Sequence, residues 1–588
     1  MIPPWLAASA IVAATVLVYL NAFGNAFLWD DRLLVVDNTA IKHWGNIARI
    51  FTHALFPEGI QSRYYRPLQT FTYLVDYHLW GLRPWGFHLT NTLLHAGTAV
   101  LLYRFGTVVL GDPLAALVAA LLFAVHPIHT EAVTYVSGRS DPLAALCMLA
   151  AALWFLRGGG RLVLSVVAFL LALLAREAAM VLPLLLVVVD VGVTTARRRR
   201  WSVYLPYAGV LALYLLLRTT VIGGGAREAL AAAVPLRLRL LTMAKVVVEY
   251  LGLLIVPLHL HMERLVRPAT SLLEPSILAS VAVIAGLVAA ILAHRRETWP
   301  LGFGLAWFFV ALLPVANIVP LSTFMAEHWL YVPSMGCFLA AGWGVARLAD
   351  RLPRRAVMAT AAIILASYAG ATIRRNADWR DGPTLYQTML PLAPESPRLY
   401  GNLGQTYQEA GDNEKAKTAY EHVLELTNND LERAMALNNL GKLYRDEKRY
   451  RESLATLDRA LALDPRLVGA HNNRALTLFE MGRVKEAKEA LEAALRLDAS
   501  SAPTHNNLGY VRFLRGDVAG ARREYLAAIR LDPDYARAYS NLGTTYLWTG
   551  QPDRAADAYR EALRIDPGLT EAARYLDLFT RRAESAPE

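Results

Sequence analysis

Cysteine is nearly absent from this chain. Only Cys147 and Cys337 occur in 588 residues, each inside an apolar run. They exclude a disulfide framework and a cysteine-based metal site, and read as small core residues. Charge is sparse too, at 18% Asp, Glu, Lys and Arg. The apolar stretch from Trp5 to Leu20 lacks the basic region that precedes a cleavable signal, so it reads as an uncleaved first helix. What is abundant is apolar surface. Hydrophobic residues make up 55% of the chain, a level that suits a polytopic membrane protein and not a soluble one. The net charge of +10 could signal nucleic acid, but much of the excess is Arg between apolar runs. Examples are Arg197 to Arg200, Arg295 and Arg296, and Arg347, Arg351, Arg354 and Arg355. Cytoplasmic loops of a membrane protein explain that pattern, and no nucleic-acid partner is expected.

The composition changes near Arg374. Residues 1–373 form a membrane domain, 374–396 a linker and 397–580 a repeat domain, all of it α-helical. Twelve apolar candidates fall at 3–22, 87–106, 113–127, 141–156, 162–175, 177–193, 202–220, 237–258, 275–293, 300–319, 328–346 and 355–373. Several are shorter than the roughly 20 residues that a spanning helix needs. Placing the Arg loops inside puts the loop 24–86, the 126–141 region and Arg176–Glu177 outside. Three candidates between Arg200 and Arg295 cannot return to one side, so 237–258, with Lys245 and Glu249 at i, i+4, reads as interfacial or re-entrant. About eleven crossings remain, and the repeats fall outside the cytoplasm, against the mild contrary signal of Arg374, Arg375 and Arg380.

The repeats announce themselves by period. Asn439-Leu440-Gly441, Asn473-Arg474-Ala475, Asn507-Leu508-Gly509 and Asn541-Leu542-Gly543 are spaced 34 apart, and Asn402-Leu403-Gly404 precedes them by 37, with an insertion at 428–431. A small residue and then an aromatic or Leu follow each: Ala416/Tyr420, Ser453/Leu457, Ala487/Leu491, Ala521/Tyr525 and Ala555/Tyr559. Asp-Pro closes three units, at Pro465, Pro533 and Pro567. This is the tetratricopeptide pattern of paired antiparallel helices. The column Asn402, Asn439, Asn473, Asn507 and Asn541 falls on the concave face. There it could hold an acceptor peptide by its backbone, resembling the asparagine ladder of O-linked N-acetylglucosamine transferase. An equal reading makes these residues solvated consensus positions.

The membrane half carries a cluster of ionisable groups at the outer ends of its spans. Asp30 and Asp31 follow the first span, where mutual repulsion and lost solvation raise at least one pKa and fit a general base. Tyr65-Arg66-Pro67-Leu68 opens an amphipathic stretch to Trp80 that reads as an interfacial helix. His88, Asn91 and His95 follow at i, i+3, i+7, then His126, His129 and Glu131, Arg139-Ser140-Asp141, Arg176-Glu177, and Glu327-His328 with Tyr331. Groups that collect at one end of several spans build a site.

These motifs, in this order and with repeats C-terminal, resemble the transmembrane and tetratricopeptide-repeat O-mannosyltransferases of the type C glycosyltransferase fold. The marks are the acidic pair, Tyr65-Arg66-Pro67-Leu68, His88 with Asn91, Phe123-Ala124-Val125-His126-Pro127, Arg139-Ser140-Asp141, Glu177 and Leu330-Tyr331-Val332-Pro333-Ser334. The resemblance implies transfer of a sugar, mannose in characterised members, from a polyprenyl phosphate to Ser or Thr hydroxyls on the extracytoplasmic side. Two positions depart from the family. Arg176 stands where Lys is expected, and His328 where Arg is expected. The first keeps a permanent charge for a phosphate and the second need not. High Arg and Ala usage points to a bacterial chain in an inner membrane, which leaves an undecaprenyl-type carrier and another sugar open.

The expected chemistry is inverting transfer, with Asp30 or Asp31 taking the acceptor proton. Arg66, Arg139 and Arg176 hold the donor phosphate. His88, Asn91, His126, Glu131, Asp141, Glu177, Glu327, His328 and Tyr331 shape the pocket. A divalent metal at Asp30/Asp31 is conceivable, but no ligand spacing demands one. Two other classes compete: a non-catalytic scaffold for a polysaccharide or secretion complex, and a lipid-linked glycan polymerase or ligase.

Overall fold

The computed structural model describes residues 3–55, 64–193, 201–222, 234–293 and 299–584. The loops with Arg197 to Arg200 and with Arg295 and Arg296 lie outside the described residues. Every regular element among the described residues is helical, and the chain divides into two units that meet at 394/395.

Among the described residues of the first unit, six helices are long and apolar enough to cross a membrane: Pro4–Gly24, Pro84–Leu110, Val136–Arg157, Trp201–Ile222, Pro275–Ala293 and Arg354–Asp378. A bent pair, Pro113–Val125 and Pro127–Val133, meets at 51° and makes a seventh if the two form one span. Shorter apolar helices, Arg161–Ala175 and Trp299–Val315, accompany them. The expected count of about eleven thus rests partly on pieces that are too short to cross alone. Proline sits in the first turn of Pro67–Trp80, Pro84–Leu110, Pro113–Val125 and Pro333–Arg351, where its missing N–H costs nothing. The Asp112 carboxylate caps Pro113–Val125 by accepting from the N–H groups of Leu114 and Ala115.

Small residues let the helices approach. A Cβ on Gly304 would collide with the carbonyl of Gly336, and one on Gly336 with the carbonyl of Gly304, so Trp299–Leu312 and Pro333–Arg351 meet backbone to backbone. The stretch 237–258 forms a helix at Leu236–Ile255, which is not among the six spans. Its Glu249 pairs with Arg264 at 2.9 Å. The segment read as a linker is helical as well. The Arg354–Asp378 helix runs past Arg374, and Gly382–Met389 follows it.

The second unit holds five helix pairs, from Pro397–Glu409 with Asn413–Leu426 to Ala536–Trp548 with Pro552–Ile565, and a closing helix, Thr570–Glu584. The insertion at 428–431 opens the long helix Asp430–Asp446. The glycine of Asn-Leu-Gly has a local cause. A Cβ at Gly404, Gly509 or Gly543 would strike the ring of Tyr420, Tyr525 or Tyr559, which wedges between paired helices. Those rings are buried to 1% exposure or less, so the motif and the aromatic of the following helix are one packing device.

Candidate functional site

The end of the first helix is pinned by Asn376. Its Nδ2 donates to the Val18 carbonyl at 2.9 Å and to Asn21 Oδ1 at 3.0 Å, and its Oδ1 accepts from Thr134 Oγ1 at 2.7 Å. Asn25 Nδ2 donates to the Asn376 carbonyl at 2.9 Å. The chain leaves this anchor through Trp29, whose φ of +53° is a left-handed conformation that side chains seldom adopt. The turn sends the two carboxylates to different environments.

Asp31 is wholly buried. Its Oδ1 accepts from the Ser137 N–H at 2.7 Å and from Ser137 Oγ at 2.5 Å, and its Oδ2 from the Leu28 N–H at 3.0 Å. Burial pushes its pKa up to about 7, over the opposing pull of these three donors and with the Asp30 charge adding to the rise. Asp30 is half-buried, and its backbone N–H donates to Tyr135 Oη at 3.0 Å. N–H and O–H donors thus engage both oxygens of Asp31. Among the described residues no cluster of three or more His, Cys, Asp and Glu could hold a metal ion.

Two arginines converge on Ser140. Arg176 Nη1 donates to Ser140 Oγ at 3.0 Å and to Asp141 Oδ2 at 2.5 Å. Arg66 grips Glu177 with two bonds, at 2.9 and 2.6 Å, and reaches Ser140 Oγ at 3.4 Å. Asp141 and Arg176 line a small cleft of about 30 Å³ together with apolar Ala144, Met148, Val181 and Trp329.

Arg139 must be withdrawn from the phosphate-binding set. It is 0% exposed, pairs with Asp76 at 2.5 Å, and donates to Asn91 Oδ1 at 2.6 Å and the Phe87 carbonyl at 3.0 Å. The Tyr73 ring lies 4.7 Å beneath its guanidinium. A guanidinium so enclosed is a structural tie. Asn91 continues the tie, since its Nδ2 donates to the carbonyls of Val133 at 3.1 Å and Tyr135 at 3.2 Å. His88 Nε2 meets the Asn25 carbonyl at 3.2 Å. Asn91 holds the 133–136 turn and His88 the chain at Asn25, both buried.

The remaining predicted residues fall into two groups. Tyr331 Oη meets His95 Nδ1 at 2.7 Å in the bundle interior, and His126 Nε2 meets the Leu254 carbonyl at 3.2 Å, so Tyr331 and His126 pack helices together. Glu131, Glu327 and His328 gather elsewhere. Glu131 accepts from the His328 N–H at 3.1 Å and faces His328 Nδ1 at 2.5 Å. Glu327 Oε1 accepts from the His261 N–H at 2.6 Å and from Arg264 at 3.1 and 2.7 Å. Burial pushes the Glu327 pKa up, against the opposing charges of Arg375 and Arg264. Asp141 lies within electrostatic reach of Arg176, His328, Arg66 and Glu131.

Sequence reasoning misses Ser137, Tyr135, Arg264 and Asn376. No charge pattern marks the first two. Arg264 lies between candidate spans, and Asn376 stands beside basic residues that read as a loop.

In the repeat unit the asparagines tie neighbouring units together. Asn473 Nδ2 donates to Asn438 Oδ1 at 2.9 Å, Asn507 Nδ2 to Asn472 Oδ1 at 3.4 Å and Asn541 Nδ2 to Asn506 Oδ1 at 2.8 Å. Asn439 Oδ1 accepts from Asn438 at 3.2 Å, and Asn402 Nδ2 is buried without a partner among the described residues. One N–H of three column amides is therefore already spent inside the solenoid.

Tetratricopeptide-repeat family models match residues 395–466, 468–501, 509–550 and 536–569. Protein O-mannosyl-transferase TMTC3 of Mus musculus is 27% identical over 508 residues, 78% of this chain and 55% of that protein. Protein O-mannosyl-transferase Tmtc3 of Drosophila melanogaster is 26% identical over 545 residues, 77% of this chain and 58% of that protein. The chain is similar to these protein O-mannosyl-transferases over 78% and 77% of its length, and its C-terminal part carries tetratricopeptide repeats. It spans just over half the length of these relatives. Among solved structures, a thermophilic tetratricopeptide protein of Thermus thermophilus matches at 23% identity and a TM-score of 0.29, over 32% of this chain and 100% of that one.

Proposed function

We propose that this chain is a membrane protein O-glycosyltransferase. It moves a sugar, mannose by preference, from a polyprenyl-phosphate carrier to Ser or Thr hydroxyls of extracytoplasmic proteins. The relatives carry the name protein O-mannosyl-transferase, and the observation that carries the reading here is the unequal acidic pair. Asp31 is locked by three donors and Asp30 is half-buried beside it. In this reading Asp30 is the general base and Asp31 positions it. The acceptor oxygen attacks the anomeric carbon as its proton passes to Asp30. The bond from that carbon to the phosphate oxygen breaks, the phosphate leaves with the carrier, and the configuration inverts. Arg66 and Arg176 hold the phosphate at Ser140, each with a carboxylate to orient it.

The repeats capture the acceptor protein, using amide hydrogens and oxygens left over from the inter-repeat ladder. The loop 24–86 and the repeats share the extracytoplasmic side. Labelling of Thr504→Cys on intact cells by an impermeant reagent tests that placement, and protection would contradict it. The activity itself is tested with the full chain in lipid nanodiscs, supplied with radiolabelled polyprenyl-phosphate mannose and an extracytoplasmic protein fraction. Label in protein, released by β-elimination, is expected. Label appearing only in a lipid-linked glycan would move the chain to the polymerase class.

A further inference from the structure

Five buried polar atoms have no partner among the described residues, three of them on Arg375 and Trp379 at the end of the Arg354–Asp378 helix. They are Arg375 Nε and Nη2, Trp379 Nε1, Glu327 Oε2 and His261 Nδ1. The residues are 7%, 1%, 1% and 8% exposed, in the order Arg375, Trp379, Glu327, His261. They belong together. Arg375 lies over the Trp379 ring at 5.8 Å, and it is within electrostatic reach of Glu327 and His261. Glu327 Oε1 is fixed by the His261 N–H and by Arg264, which leaves Oε2 held in place and unused. The other end of Arg375 is held as well, with Nη1 on Asp378 at 2.9 Å. A buried donor or acceptor without a partner carries an uncompensated loss of hydration, and several together mark a place that a water, an ion or a ligand completes.

The chemistry of the set selects the ligand. Arg375 and Trp379 offer three N–H donors. Glu327 Oε2 offers an acceptor, and so does His261, which burial together with Arg264 and Arg375 pushes down to about 4 and keeps neutral at pH 7. A phosphate has only acceptors and would face the carboxylates of Glu327 and Glu131, so it is a poor match. A pyranose ring is a good one, because each hydroxyl both donates and accepts, and neighbouring hydroxyls can bridge a guanidinium and a carboxylate. Tyr135 stacks on Trp379 at 5.3 Å, and its Oη accepts from the Asp30 N–H, which links this set to the acidic pair.

We propose that Arg375, Trp379, Glu327 and His261 form the subsite that recognises the hydroxyls of the donor sugar, apart from the arginines that hold its phosphate. This rests on the glycosyltransferase reading for its substrate class. It assigns specificity to residues that sequence reasoning treats as a loop charge (Arg375) or as pocket shape (Glu327).

The test is binding, so it does not depend on turnover. Full-length protein in nanodiscs is titrated with polyprenyl-phosphate mannose and, separately, with bare polyprenyl phosphate. Wild type is expected to bind the sugar-bearing carrier roughly 10- to 100-fold more tightly. Glu327→Gln and Arg375→Gln should each remove most of that ratio while leaving the Kd of the bare carrier unchanged. Trp379→Phe, which keeps the ring and deletes one donor, should reduce the ratio by only about 2- to 10-fold and guards against a folding artefact. Equal affinity of wild type for both carriers would overturn the subsite, and so would a wild-type ratio in Glu327→Gln and Arg375→Gln. A preserved ratio in a protein that transfers nothing to polypeptide would leave the subsite standing and overturn the protein O-glycosyltransferase reading instead.

Discussion

Arginine–carboxylate pairs occur in both units and do different work in each. In the repeats many lie on exposed helix faces at i, i+3, as in Arg483–Glu486 at 2.6 Å, where the side chains are 41% and 44% exposed. Water and salt screen such pairs, which stabilise by about 0–1 kcal/mol. In the membrane unit Arg139–Asp76 is sealed, at 0% and 4%, and joins segments 63 positions apart in sequence. Removing one partner there strands a charge that has neither water nor a counterion. The first pair is screened by water, whereas the second holds distant segments of the membrane unit together.

The sharpest way to break this contrast is to cut one pair in each unit. Asp76→Ala should cost roughly 3–5 kcal/mol in reversible unfolding from detergent, because Arg139 is left buried and unpaired. Survival of Asp76→Ala with less than about 1 kcal/mol lost would mean that water reaches Arg139.

A second effect follows from Asp31. Its folded pKa, about 7, lies above that of an unfolded carboxylate, so its stabilising contribution is full below about pH 4 and is lost as the pH rises to 7. The melting temperature of wild type should therefore fall relative to that of Asp31→Asn across that window and run parallel to it above. A difference that stays flat from about pH 4 to 7 would show that Asp31 is ionised throughout.

A smaller effect is expected in the solenoid. The double variant Asn473→Ala, Asn507→Ala should raise the KM for a full-length acceptor protein by roughly one order of magnitude and leave kcat nearly unchanged, since each amide supplies a hydrogen bond worth about 0.5–1.5 kcal/mol. A short peptide that reaches only the membrane unit should not notice. If the melting temperature falls and KM does not move, the column serves only to tie repeats together. The smallest effect is Arg483→Ala, which should change stability by no more than about 0.5 kcal/mol.

Legibility in the sequence follows the same contrast. The solenoid can be read almost unit by unit, because each repeat packs on its neighbours and the period of 34 records that packing directly. Gly404 and Tyr420 are legible as a pair because one fills the space that the other leaves. The membrane unit hides more. Its spans are interrupted at polar turns, as between Val125 and Pro127 and at Arg176, so apolar length alone miscounts crossings. The motif residues are visible in the sequence, but their partners are not. Nothing near Arg139 in sequence reveals that Asp76 will neutralise it, and Arg375 looks like a loop charge until the last helix is seen to run to Asp378. The adjacent aspartates look equivalent on paper. The left-handed turn at Trp29, which no residue type announces, separates them.

The division of labour within that acidic pair is the centre of the account, and single-turnover transfer from polyprenyl-phosphate mannose to a short Ser/Thr peptide measures it directly. Asp30→Asn should lower the rate roughly 10²- to 10⁴-fold at unchanged donor affinity, as expected for a lost general base. Asp31→Glu should retain part of the activity, since a carboxylate is still there to accept from Ser137. Full activity in Asp30→Asn, with loss confined to Asp31 variants, would contradict the assignment and make the buried carboxylate the base.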